Sequence, residues 1–111
     1  QQEKPLIVSE FGVLYRNEVM GFPIFDATPV QDFMVDTFDY FLDTKDCTLG
    51  LVADECRLVQ RWNWFSVDHS IDGFNPYGRL FAPDTLEMTS TGQRFQTYVT
   101  ERQYELAQRG Y

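Results

Sequence analysis

One carboxylate stands out by its setting. In "KPLIVSEFGVLY", residues 4–15, a continuous apolar run ends in Ser9 and Glu10, directly before Phe11 and Gly12. Such a run makes sense if it buries itself to hold one acid rigidly at the mouth of a site. The other candidates are aromatic: Trp62 and Trp64 in "LVQRWNWFSV" (58–67), and Phe74, Asn75 and Tyr77 in "DHSIDGFNPYGRLF" (68–81), with Tyr15 just after the first run. Rings of this kind stack on flat ligands, and they serve equally well as plain core.

Other groupings have weaker chemistry. Asp68, His69 and Ser70 are the members of a hydrolase triad, but such members meet through the fold and adjacent residues cannot adopt that geometry. His69 therefore reads as a loop residue, and Asp26 and Asp72 as solvated loop acids. Asp46, Asp54 and Glu55 lack the D-x-D-x-D-G spacing of a calcium loop, so a solvated acidic connection is expected there. Cys47 and Cys56 leave two readings open, a bridge closing a short loop or two buried thiols. With one histidine and no C-x-x-C pair, no zinc site and no cofactor are expected.

The elements that must position these residues follow from patterning. Residues 5–9 are continuously apolar and predict a strand buried on both faces. Residues 12–27 carry Gly12, Gly21 and Pro23 without helical period and predict a long loop, a kind of segment that is often functional. Thr28, Pro29 and Gln31 predict an N-cap, a first-turn proline and a capping-box partner. Val30, Phe33, Met34, Phe38, Phe41 and Leu42 then form the apolar face of a helix, which leaves Asp32, Asp36, Asp39 and Asp43 to solvent. Residues 58–67 predict a second strand, and 68–81 a second loop. A final helix is expected over about 90–108, with Phe95, Val99 and Leu106 on one stripe and Gly110 as C-cap. Strand, loop, helix, strand, loop, helix is the order of an α/β chain with parallel strands joined by right-handed crossovers. In such folds ligands bind at the carboxyl ends of the strands, where Glu10 and Trp64 both fall.

Composition narrows the partners. At 111 residues the chain is one small domain, and its 43% hydrophobic and 16% aromatic content excludes a disordered polymer. A net charge of -8 argues against nucleic acid, whose binding depends on Lys and Arg displacing counterions. No apolar run approaches the roughly 20 residues that span a bilayer, and residues 1–20 lack the pattern of an export signal, so no membrane partner is expected.

Taken in order, "KPLIVSEFG", "GFP", "RLVQRWNWFSV" and "FNPYGRLFAPDTLEMTSTGQRF" resemble the seventh and eighth strand-helix units of a retaining glycoside hydrolase with a (β/α)8 barrel, of the glycosyl hydrolase catalytic core type. The likeness covers nearly all of residues 1–111. It implies a carboxyl-terminal fragment of a TIM barrel, acting on a β-linked polysaccharide outside the cell or in the cell envelope. It also implies that Glu10 is the nucleophile and that Trp64, with Trp62 as second choice, stacks on the sugar, while Tyr15, Phe74, Asn75 and Tyr77 line the cleft rim. A retaining enzyme needs a second carboxylate about 5–5.5 Å away. The family's acid/base resembles an Asn-Glu pair ending the fourth strand, whereas Asn17-Glu18 follows the seventh-strand match and cannot supply it. The remainder of the barrel is therefore required, and the isolated chain is expected to be inactive. The competing reading is a non-catalytic carbohydrate-binding relic, or a partial domain that needs a partner chain.

Overall fold

A computed structural model describes residues 2–14 and 26–108. Tyr15, the Asn17-Glu18 pair, most of the expected 12–27 loop and Gly110 lie outside the described residues. Strand β1 (Ile7–Phe11) is followed by helix α1 (Ala27–Asp43), strand β2 (Arg61–Trp64), helix α2 (Ser90–Glu101) and the short helix α3 (Gln103–Ala107), with 3-10 turns at Val52–Asp54 and Pro76–Gly78. The two strands pair in parallel, so the chain is mixed α/β with a small parallel sheet. The expected element order holds. The second strand is shorter than residues 58–67, and both strands are brief enough that only the helices packed on them make the pair stable.

The cap of helix α1 lies two residues before the expected one. Asp26 is the N-cap, its carboxylate accepting a hydrogen bond from Thr28 N at 3.1 Å, and Pro29 falls third in the helix, where its missing N–H is one of the unsatisfied donors anyway. Gln31, freed from a capping box, donates to Ser90 Oγ at 3.1 Å and so reaches α2. Val30, Met34, Phe38 and Leu42 form the buried row. Phe38, only 2% exposed, is the hub: its ring lies 5.9 Å from Phe11, 5.9 Å from Trp62, 6.3 Å from Trp64, 5.8 Å from Phe95 and 5.3 Å from Tyr98. Sheet, α1 and α2 thus meet on one phenyl ring.

The acids of α1 do not all face solvent as expected. Tyr98 OH donates to Asp39 Oδ1 at 2.9 Å, while Arg102 donates to Asp39 and Asp43 at 2.8 Å each, tying α1 to the end of α2. Burial, aided by Asp39, pushes the Tyr98 phenol well above its usual pKa, so it stays a donor. The final helix breaks at Arg102, which leaves helical geometry while its guanidinium holds these acids. Of the expected stripe, Phe95 packs partly buried against the core while Val99 stays exposed; Thr91, Gly92 and Tyr98 are the buried residues of α2. Gly92 is required by contact, because a Cβ there would stand 2.1 Å from Leu80 O.

Between α1 and β2, Cys47 and Cys56 are joined by a disulfide. The acids of this connection are engaged rather than simply solvated. Asp54 is buried and pairs with Arg57 at 3.0 Å, Glu55 pairs with Lys45 at 2.5 Å, and Asp46 Oδ1 accepts from Thr48 N at 2.7 Å. The Thr48 hydrogen bonds hold the Asp46 carboxyl below the usual carboxylate range. No group of three or more metal-ligating side chains occurs among the described residues, and no helix among them is long and apolar enough to cross a membrane.

Two consequences are measurable. Phe38→Ala opens a cavity where three elements meet and is expected to cost about 3–5 kcal/mol in denaturant unfolding, a large share of the roughly 5–15 kcal/mol that a domain has. Cys47→Ala/Cys56→Ala relaxes a loop with a sequence separation of 9. Loop-closure entropy puts its cost at about 2.5 kcal/mol, and an unchanged unfolding midpoint would show that the bridge constrains nothing.

Candidate functional site

The site begins with a register shift. Val8 pairs with Trp62 and Phe11 with Trp64, so three steps along β1 match two along β2, and Ser9 and Glu10 together oppose Asn63. Strict alternation would send Val8 and Phe11 to opposite faces. The extra residue instead returns Phe11 to the helix side, where its ring meets Phe33, Phe38, Phe41 and Trp64 at 5.2–6.5 Å. Glu10 is exposed, as are Ile7, Ser9, Arg61 and Asn63. A bulge of this kind re-aims side chains at the end of a strand.

This overturns one expectation about β1. The strand is not buried on both faces within this chain: Ile7 is 57% exposed, and Leu6 before it is also exposed. The apolar run covers α1 on one side only. Its start is pinned by Gln60, fully buried, whose side-chain Oε1 accepts from Leu6 N at 2.8 Å while its backbone N donates to Leu6 O at 3.0 Å.

Parallel pairing puts the carboxyl ends of both strands on one rim, and the segments that follow them touch there. Phe65 N donates to Phe11 O at 2.8 Å, and Asn75 N donates to Leu14 O. Gly12 passes so close that a Cβ would lie 2.6 Å from Phe65 O, so only glycine fits. The loop after β2 carries its own ring cluster: His69 stacks on Phe65 at 5.4 Å and 16°, with Phe74 edge-on at 5.6 Å. His69 N donates to Ser66 Oγ at 3.0 Å, and burial, reinforced by Arg79, pushes the imidazole pKa down. Asn75 caps the Pro76–Gly78 turn, its Oδ1 accepting from Tyr77 N at 2.9 Å.

The two tryptophans take a different place from the expected one. Trp62 and Trp64 share the helix side of β2. Trp64 is 8% exposed, and its indole N–H donates to Gly78 O at 2.7 Å. Its ring is enclosed by Phe11, Phe33 and Phe38 and has no free face for stacking on a ligand beside Glu10; strand parity turned it toward α1. What it does is brace the turn that carries Asn75 and Tyr77. Trp62 packs on Phe38 and Phe41, and both indoles line a cleft of about 400 Å³ along the free edge of β2 that does not include Glu10.

Of the expected site residues, Glu10 is exposed at the end of β1, Phe74, Asn75 and Tyr77 lie in the loop after β2 with Asn75 fully buried, and Trp62 and Trp64 take the helix side of β2. Asn63, opposite Ser9 and Glu10, is exposed on the same side of the sheet without having been singled out as a site residue. Alternation alone signals Asn63, since it lies between two tryptophans that must share the opposite face.

Because the folded state depresses the His69 pKa, the unfolded chain binds the extra proton. Stability should therefore fall as pH drops below the unfolded value of about 6.5. The chain has a single histidine, so the slope between about pH 6.5 and 5 should vanish in His69→Gln, and an unchanged slope would place its origin elsewhere. No family model, no curated protein and no solved structure matches this chain.

Proposed function

We propose that the chain is a carboxyl-terminal part of a (β/α)8-barrel retaining glycoside hydrolase, with Glu10 as the nucleophile. The observation that carries the reading is the one-residue shift between Val8 and Phe11, which leaves Glu10 exposed at the end of a parallel strand while Phe11 packs against the core. A carboxylate so placed attacks an anomeric carbon, the leaving group departs with a proton from a second carboxyl group, and water then hydrolyses the glycosyl-enzyme. That second group is supplied by the remainder of the barrel, so the isolated chain has no turnover. The substrate is a β-linked polysaccharide. Asn63, opposite Glu10, replaces Trp64 as the nearest β2 residue on the sugar side. The Cys47–Cys56 bridge suits an oxidising compartment, in keeping with an extracellular or envelope site.

A second reading is favoured by a specific feature: a partial domain that needs a partner chain. The apolar cleft along the free edge of β2 and the exposed Leu6 and Ile7 are surfaces that a further strand on either side would cover. In that case sugar binding, if any, proceeds without cleavage.

In a full-length polypeptide containing this segment, Glu10→Gln should lower turnover by on the order of 10³-fold or more while leaving substrate affinity nearly intact. Normal turnover by that variant removes Glu10 from the nucleophile role, and saturable oligosaccharide binding without any cleavage by the parent protein favours the non-catalytic reading.

A further inference from the structure

The side of β2 away from β1 borders apolar surface that nothing among the described residues covers. The two strands make up the whole sheet there, so this edge of β2 has no ladder partner. Along it runs the cleft of about 400 Å³, walled by Trp62 and Trp64 on the strand and by Phe95, Val99 and Leu106 on the helices. Those last three are the stripe whose spacing marks it for burial, yet Val99 is 37% exposed, and Val67, which also lines the cleft, is 57% exposed. A second hollow of about 280 Å³ shares Leu80, Phe95 and Val99 with the first and extends the uncovered surface along α2. Continuous apolar surface of this kind beside an open strand edge marks a place where another molecule packs.

The lining says what fits. A strand edge presents unpaired N–H and C=O groups at ladder spacing, which a hydrocarbon ligand leaves bare and an extended peptide fills. Successive side chains of such a peptide alternate, as those of β2 do. Trp62 and Trp64 take the helix side, and Arg61 and Asn63, both exposed, take the other. One set of the peptide's side chains therefore enters the cleft against the tryptophans and α2, and must be apolar. For the other set charge decides. Arg61 is the only ionised residue lining either hollow, and none of the described acids does so, although the chain has 17 acidic side chains against nine basic ones. Its guanidinium donates to Gln60 O at 3.2 Å and forms no ion pair among the described residues. An acid across from it gains a cross-strand pair, whereas a base meets repulsion.

We propose that the free edge of β2 is a docking site for an extended segment of a partner polypeptide, apolar at the alternate positions that enter the cleft and acidic at the position beside Arg61. The segment becomes the third strand of the sheet and buries the stripe of α2. Main-chain hydrogen bonds along Arg61–Trp64 hold it, the apolar positions set its register, and Arg61 selects its charge. The proposal deepens, and rests on, the reading of the chain as a partial domain that needs a partner, and it requires nothing of Glu10.

Trp62 and Trp64 are the chain's two tryptophans and both line the cleft, so their fluorescence reads its occupancy directly. The probe is the blocked peptide acetyl-Thr-Val-Asp-Val-Thr-Val-Thr-amide, titrated into the 111-residue chain beside its Lys-for-Asp analogue and a fully N-methylated form. The Asp peptide should give a saturable change, the Lys peptide should bind at least about threefold more weakly, and the N-methylated form, which cannot donate to a strand edge, should not bind. Arg61→Glu should invert the order of the Asp and Lys peptides, and Val99→Lys should abolish binding of both; each change is at an exposed position. Equal binding of Asp and Lys peptides overturns the charge selection, binding of the N-methylated form overturns strand addition, and no saturable response overturns the site. A tryptophan change with protein concentration alone, accompanied by a rise in mass, makes a second copy the occupant and overturns the partner. Backbone amide NMR separates the proposal from the reading beneath it. A peptide response at Leu6 and Ile7 but not at Arg61–Trp64 overturns this docking site while the partial-domain reading stands, and silence at both edges removes both.

Discussion

The structure turns on the ring of Phe38. Two short parallel strands have little hydrogen bonding of their own, and an isolated pair of four and five residues does not hold in water. What fixes them is the phenyl ring of α1, inserted between Phe11 and the two tryptophans on the sheet side and Phe95 and Tyr98 on the α2 side. Edge-to-face packing of this kind adds direction to apolar burial, and so sets the height of α1 over the strands as well as its contact. The rim geometry inherits that height, because Phe11 and Trp64 are at once the partners of Phe38 and the last paired residues before the two rim loops.

The same core explains why the rim is polar. Once Phe11 must face α1, the residue inserted before it is expelled, and a strand position that can carry an acid without burying a charge is created. Trp64 works similarly on β2. Its indole satisfies its single donor on Gly78 O and thereby anchors the turn that presents Asn75 and Tyr77. Packing beneath the sheet and chemistry above it are two sides of one alternation.

Contacts between the helices are secured by mixed means. Arg102 and Tyr98 meet Asp39 and Asp43 where α2 ends, and because Asp43 is largely exposed these pairs contribute orientation more than stability. The disulfide confines the connection that leads into β2, with the buried Asp54–Arg57 pair beside it. Gln60 then hands the chain to β2 while holding Leu6.

Local patterning determined a good deal. The apolar row Val30, Met34, Phe38, Leu42 specifies α1, continuous apolar and aromatic runs specify two strands, and their alternation with helices specifies parallel pairing, because each of these follows from the period of the backbone. The exposure of Glu10 as the last residue before Phe11 was also legible in outline. Tertiary structure decided the rest. A one-residue shift inverts which face a side chain occupies, and no local signal in "IVSEF" states that Phe11 will outcompete regular alternation. Trp64 looked like a ligand platform because aromatic residues serve packing and binding alike; only the position of α1 settled which. Asp39 and Asp43 found Arg102 across 63 and 59 positions, through contacts that a reading of neighbours along the chain does not contain.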